Sequence, residues 1–163
     1  MNIEIRTIEN KIGVSETYIT AFGAADKALK LQAEELFSAI TDVLDSKNAK
    51  IVQERVFGTE EIFDVVGPIR EKAYSSFDDG VGPTWLVAPE GINGKIAGIQ
   101  VHALSGDCPI EILRYEGKAC GRIVQLPGQR KYLTLNSISS SQAENSSSAC
   151  SLSALSAAPK AVI

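Results

Sequence analysis

Histidine and cysteine, the usual ligands of a zinc site, are scarce in this sequence. It has one histidine and three cysteines, and Cys108, Cys120 and Cys150 share no ligand spacing, so a typical zinc cage cannot be assembled from them. No metal or other cofactor is expected. The cysteines are odd in number and lack a pairing pattern, which fits reduced thiols rather than a disulfide framework. Basic clusters are missing too: the net charge is −4, and no Lys/Arg run offers a nucleic acid the basic face it needs. There is no glycine-rich phosphate loop and no apolar run approaching bilayer length. The opening MNIEIRTIEN has no signal-peptide core, so a cytoplasmic location is the default expectation, with neither nucleic acid nor membrane as partner.

What is present is enough for one domain of ordinary size with residues to spare. The apolar fraction of 44% and the charged fraction of 22% are those of a globular chain that can bury a core. The organising stretch is Gly94 to Leu104, GKIAGIQVHAL. At period two, Ala97, Ile99, Val101 and Ala103 share one wholly apolar face, while Gln100 and His102 fall on the other. The apolar face predicts a covering layer of helices. The opposite face, with the only histidine, is where a ligand or subunit partner would be met.

Residues 1–10 alternate as a strand, and Gly13 to Gly23 supplies a second; the short turn between them predicts an antiparallel hairpin. Ala24 to Leu44 predicts a helix, with Leu29, Ala33, Leu36, Phe37, Ile40, Val43 and Leu44 as its apolar stripe and Asp26 near its positive end. Lys50 to Phe57 predicts a strand. Strand, helix, strand reads as a crossover unit and favours parallel pairing. Thr59 is placed to cap a second helix with Glu60 and Glu61 in its first turn, and Ile62, Val66, Ile69, Ala73 and Phe77 mark its buried side. Gly67-Pro68 inside that pattern predicts a kink or a break. Thr84 to Ala88 predicts a short strand after the turn-rich link Asp78 to Pro83. The order β-β-α-β-α-β-β makes an α+β domain over 1–105: a mixed sheet with both helices on one face.

Over 106–136 the character shifts to a linker segment and a hairpin. Pro109 to Tyr115 reads as a strand or a linker, and Arg122 to Leu126 and Lys131 to Leu135 as a hairpin closed by Pro127-Gly128-Gln129. Residues 137–163 are dominated by serine and alanine and lack a bulky stripe, so poor order is expected. A weak echo runs through the chain: Tyr18-Ile19-Thr20-Ala21 against Tyr132-Leu133-Thr134-Leu135, and Gln32-Ala33-Glu34 against Gln142-Ala143-Glu144. If the echo is real, Arg122 onward is the remnant of a second repeat, and its hairpin has little to cover its apolar face.

Taken in succession, Tyr18-Ile19-Thr20-Ala21-Phe22-Gly23, Gln32-Ala33-Glu34-Glu35-Leu36-Phe37, Lys50 to Phe57, Ile62-Phe63, Pro83-Thr84 and Gly98-Ile99-Gln100-Val101-His102-Ala103-Leu104 resemble the RidA/YjgF family, also called endoribonuclease L-PSP. The resemblance spans roughly 12–104. It implies a chorismate-mutase-like fold, a homotrimer, and clefts between subunits that take a small carboxylate-bearing metabolite. In active members, hydrolases of enamines and imines, an arginine clamps the carboxylate and a glutamate positions water. This chain carries Pro83 and His102 at about those positions, and proline cannot form the fork. The chain is also similar to the first domain of chorismatase-type enzymes, which look like two fused copies.

The candidate residues follow from these readings. His102 is the catalytic candidate, able to move a proton near neutrality or to hydrogen-bond a ligand carboxylate; a histidine satisfied at an interface is the competing reading. Gln100, on the same face, could hold a water or a ligand amide. Arg55 could supply the missing positive charge if its side faces the cleft; Glu54 must point the other way. Tyr18 and Trp85 could stack on a planar ligand, with Thr84 beside them, although aromatics in strands more often pack. Three functions remain open on sequence: an atypical RidA-like binder of a small carboxylate, an imine-hydrolysing or chorismatase-like enzyme using His102, or a structural domain of a larger assembly.

Overall fold

The structure is a computed structural model, and it describes residues 1–10, 13–91, 93–136, 138–139 and 150–151. Five strands make the main sheet: β1 (Asn2–Glu9), β2 (Val14–Phe22), β3 (Lys50–Gly58), β4 (Thr84–Val87) and β5 (Ile96–Gly106). Two helices accompany them, α1 (Leu29–Ser46) and α2 (Phe63–Tyr74). The strand order is β1-β2-β5-β3-β4, mixed, with only β3 and β4 parallel. The architecture is therefore α+β with a mixed sheet, as the alternation of periods predicts.

The organising strand lies at the centre of that sheet. Ile99, Val101 and Ala103 are buried and join Ile19 and Ala21 of β2, Ile51 and Val56 of β3, and the inward side chains of both helices in one core. Both helices thus lie on the same face. Each large side chain in that layer contributes on the order of 1.5–3 kcal/mol by leaving water. The predicted α1 stripe is the observed one, with Ala33, Leu36, Phe37, Ile40 and Leu44 fully buried and Leu29 and Val43 packed at its margin.

Several boundaries and pairings differ from expectation. Helix α1 begins at Leu29, not Ala24, and no acidic residue sits in its first turn. Residues 24–28 contain no member of the stripe, so nothing draws them onto the sheet; they form a turn closed by Lys27 N–H to the Ala24 carbonyl (3.1 Å). Strands β2 and β3 run parallel but do not pair, because β5 inserts between them antiparallel to both. Helix α2 runs through Pro68 without ending. Proline there costs least: Pro68 and Asp64, whose carbonyl loses its intrahelical donor, are both exposed, so water can serve that oxygen. Thr59 stands before the turn Glu60–Ile62, but its hydroxyl makes no capping hydrogen bond.

After β5 comes a second sheet, β6 (Ile110–Tyr115), β7 (Lys118–Gln125) and β8 (Lys131–Leu135), antiparallel throughout. Gly106 allows the exit from β5: its φ is +109°, and a Cβ there would lie 2.5 Å from the Gly13 carbonyl oxygen. The β7–β8 hairpin is not left uncovered. Val124 is fully buried with Val14, Val52, Leu104 and Cys108 in a second, smaller core, against which Ile110 and Leu126 pack. A bulge at Val52 in β3 makes this possible, letting Ile51 enter the helix-side core while the next residue enters the smaller one. The reverse of the main sheet is thus covered at its Leu104 end.

Short strands β9 (Ile138–Ser139) and β10 (Cys150–Ser151) pair in parallel. The rest of the serine-rich segment, including the Gln142-Ala143-Glu144 echo, lies outside the described residues. No helix among the described residues is long and apolar enough to cross a membrane.

Candidate functional site

The reverse face of the main sheet gathers most of the residues singled out in the sequence. In register, Tyr18 of β2 lies opposite His102 of β5, Thr20 opposite Gln100, Gln100 opposite Arg55 of β3, and Arg55 opposite Thr84 of β4. Paired positions share a face, so these side chains form a row across four strands. Arg55 and Gln100 are exposed and His102 is half-buried.

Around His102 the row becomes a cluster. The Tyr18 and His102 rings stack with centroids 4.6 Å apart and planes at 0°. Tyr132 of β8 approaches His102 edge-on at 6.1 Å. All three side chains converge on one carboxylate, that of Glu16. It accepts from the Tyr18 hydroxyl (2.9 Å), from His102 Nε2 (3.2 Å) and from the Tyr132 hydroxyl (3.4 Å). The two echo tyrosines therefore meet at the same group.

Burial lowers the His102 pKa, Glu16 opposes that, Arg55 adds to it, and the net shift is downward. At neutral pH the ring is thus uncharged, and the contact with Glu16 is a hydrogen bond rather than an ion pair. An acceptor-only carboxylate requires the proton on Nε2, which leaves Nδ1 with the lone pair. Tyr18 is pushed up to about 12, first by burial and then by its bond to Glu16. Burial and Glu16 likewise raise Tyr132. Neither phenol is poised to ionise.

Glu16 is the residue that sequence reasoning missed at this site. The signal existed: it falls between Val14 and Tyr18 at the same parity, and so on the histidine's face. Arg55 does face this side, and its Nη2 donates to Gln53 Oε1 (2.9 Å). Thr84 is at the far edge of the row and donates to Asn136 Oδ1 (2.8 Å). Trp85 is not part of the group. It points to the helix side, where its ring lies 4.8 Å from that of Phe63. Pro83 is buried.

A second polar cluster, unforeseen in the sequence, lies inside the protein. Glu54 is 1% exposed and accepts from Arg70 Nε (2.7 Å) and from the Tyr74 hydroxyl (2.7 Å). Arg70 also donates to Asp78 (3.1 Å) and to the Val81 carbonyl (3.3 Å), and its guanidinium stands 4.9 Å over the Tyr74 ring. The same Val81 carbonyl accepts from Arg122 of β7 (3.2 Å), which grips Asp79 with two bonds of 2.6 and 2.7 Å. Burial alone would lower the Arg70 pKa, but Glu54, Tyr74 and Asp78 together outweigh it and the net shift is upward. Tyr74 is raised well above its usual range, first by burial and then by Glu54. The cluster is a structural lock, and through Arg122 it ties the second sheet to the first. Among the described residues no cluster of three His, Cys, Asp or Glu side chains could hold a metal ion.

No family model matches this chain, and no curated protein matches it. Among solved structures it is similar to one from Salmonella typhimurium named "putative translation initiation inhibitor", at 15% identity over 63% of this chain and 96% of that one, with a TM-score of 0.37. The likeness is too slight for fold or function to be read from it.

Proposed function

We propose that this is an atypical RidA/YjgF-like protein of chorismate-mutase-like fold, which binds a small carboxylate metabolite on the reverse face of its main sheet, at contacts between the copies of a trimer. The observation that carries the reading is the group Arg55–Gln100–His102: an exposed guanidinium of β3 opposite an exposed amide of β5, with a neutral imidazole two residues further along β5 on the same face. A guanidinium can grip a carboxylate with two bonds, which lysine or histidine alone would not do. Gln100 supplies a further donor and acceptor for the rest of the ligand. The carboxylate clamp at the Pro83 position is missing, so Arg55 takes that part, from the neighbouring strand.

The test is a thermal-shift screen with pyruvate, 2-ketobutyrate and chorismate, because a ligand of the folded state must raise the melting temperature. A rise is expected with at least one of them in the parent and none in Arg55→Ala. No rise with any carboxylate would refute the proposal.

One observation favours a second reading, an imine-hydrolysing or chorismatase-like enzyme. Glu16 fixes the His102 tautomer, as an orienting carboxylate does for a general base. On that reading His102 Nδ1 takes the proton from the attacking water. Equal turnover of an imine or of chorismate by the parent and by His102→Ala removes His102 from the reaction.

A further inference from the structure

A cleft of about 430 Å³ opens on the other side of β4, away from His102. Its walls come from the segment leading into β4 and from the β6–β7 turn, and Asn136, after β8, closes it. Trp85 provides an aromatic surface, and Arg114 and Lys118 provide two cations. No acidic side chain lines it among the described residues. Arg114 is held in place by its own turn, Nη1 donating to the Gly117 carbonyl at 3.1 Å.

Two observations mark this as more than a surface dip. Asn136 is 6% exposed, and its Nδ2 has no hydrogen-bond partner among the described residues, while its Oδ1 is taken by Thr84. A buried amide left half-satisfied is costly, and a small movement of the Asn136 side chain toward the cleft would let a ligand oxygen satisfy it. Gly82 lines the same cleft, and a Cβ built on it meets nothing within 4 Å. The backbone there is open to a guest. The volume is within the range of small-molecule sites, and the lining sets two cations and an amide beside one aromatic side chain.

We propose that this cleft binds a small planar aromatic anion, its ring on Trp85, its charge between Arg114 and Lys118, and a ring oxygen substituent at Asn136. Arg114, Lys118 and Asn136 belong to the second sheet and its margin, so the site exists only because that sheet is docked on the first. It is independent of the row at Arg55 and does not require it.

Trp85 is the only tryptophan, so its fluorescence reads the cleft directly. The probe is 4-nitrobenzoate, with the uncharged 4-nitrobenzyl alcohol as the same ring without the charge. The expected result is saturable quenching by the anion, much weaker quenching by the alcohol, and a dissociation constant raised at least about tenfold in the Arg114→Gln/Lys118→Gln double variant. Gly82→Leu, which fills the cleft, should abolish saturation, while Arg55→Ala should leave it unchanged. Both cationic positions are exposed, so the double variant decides the matter even if Gly82→Leu does not fold. Equal affinity for the alcohol and the anion, unchanged binding in the double variant, or loss of binding in Arg55→Ala would overturn the proposal.

Discussion

Glu16 and Glu54 are both glutamates of the main sheet, and they have opposite surroundings. Glu54, on the helix side, is sealed from water and answered by a guanidinium and a phenol. Glu16, on the reverse side, keeps 18% of its side chain exposed and is answered by a neutral imidazole and two phenols, with no cation among them. A carboxylate as deeply buried as Glu54 needs an opposite charge beside it, or must take up a proton at a cost in stability. One at the margin can be held by uncharged donors, because water still shares the load. The first arrangement locks elements together; the second leaves groups that can still exchange protons.

The sharpest way to break this contrast is to remove the cation on the sealed side. Arg70→Met should cost about 3–5 kcal/mol of stability, since it leaves Glu54 buried without its counter-charge. Urea unfolding reads this, and a loss below about 1 kcal/mol would show that water reaches Glu54. Arg122→Met should cost less, about 2–3 kcal/mol, because Asp79 is partly exposed and regains water when released. On the marginal side, Glu16→Gln should cost about 1 kcal/mol or less, since its partners are neutral and half-solvated. If Glu16→Gln proves as damaging as Arg70→Met, the distinction between the two carboxylates is wrong.

The smallest expected effect is in pH. The folded His102 pKa lies below its ordinary 6.5, so the unfolded chain takes up the proton first as pH falls. Its contribution to stability is full above about pH 6.5 and is lost as pH falls through the folded pKa. It is the only histidine, so the urea midpoint should decline between pH 7.5 and 5.5 in the parent and decline less in His102→Gln. Identical slopes in the two proteins would show that burial does not disfavour the charged ring.

Much of the layer order was legible because it rests on periodicity. The stripe from Leu29 to Leu44 and the alternation through Ile99, Val101 and Ala103 each name a buried face without knowing its partner; Ala97 departs from it, half-buried beside the register shift opposite Phe57 and Gly58, and Ile96 enters the core instead. The reverse face was legible in the same way, which is why Tyr18, Gln100, His102, Arg55 and Thr84 fall in one row. Trp85 falls outside that row because adjacency to Thr84 in sequence means the opposite face in a strand. Arg70 and Tyr74 were missed because charge and hydroxyl count as polar in any pattern. Nothing local shows that Glu54 waits for them across the core.

The sequence by itself determined which side chains leave water, since hydrophobic spacing acts within each element and needs no knowledge of the others. Only the tertiary structure decided that β5 divides β2 from β3, that the second sheet closes over Val52 and Leu104, and that Arg122 meets Asp79. Those are encounters between segments far apart in the chain, fixed by how the layers close around a shared interior. No window of residues contains both partners.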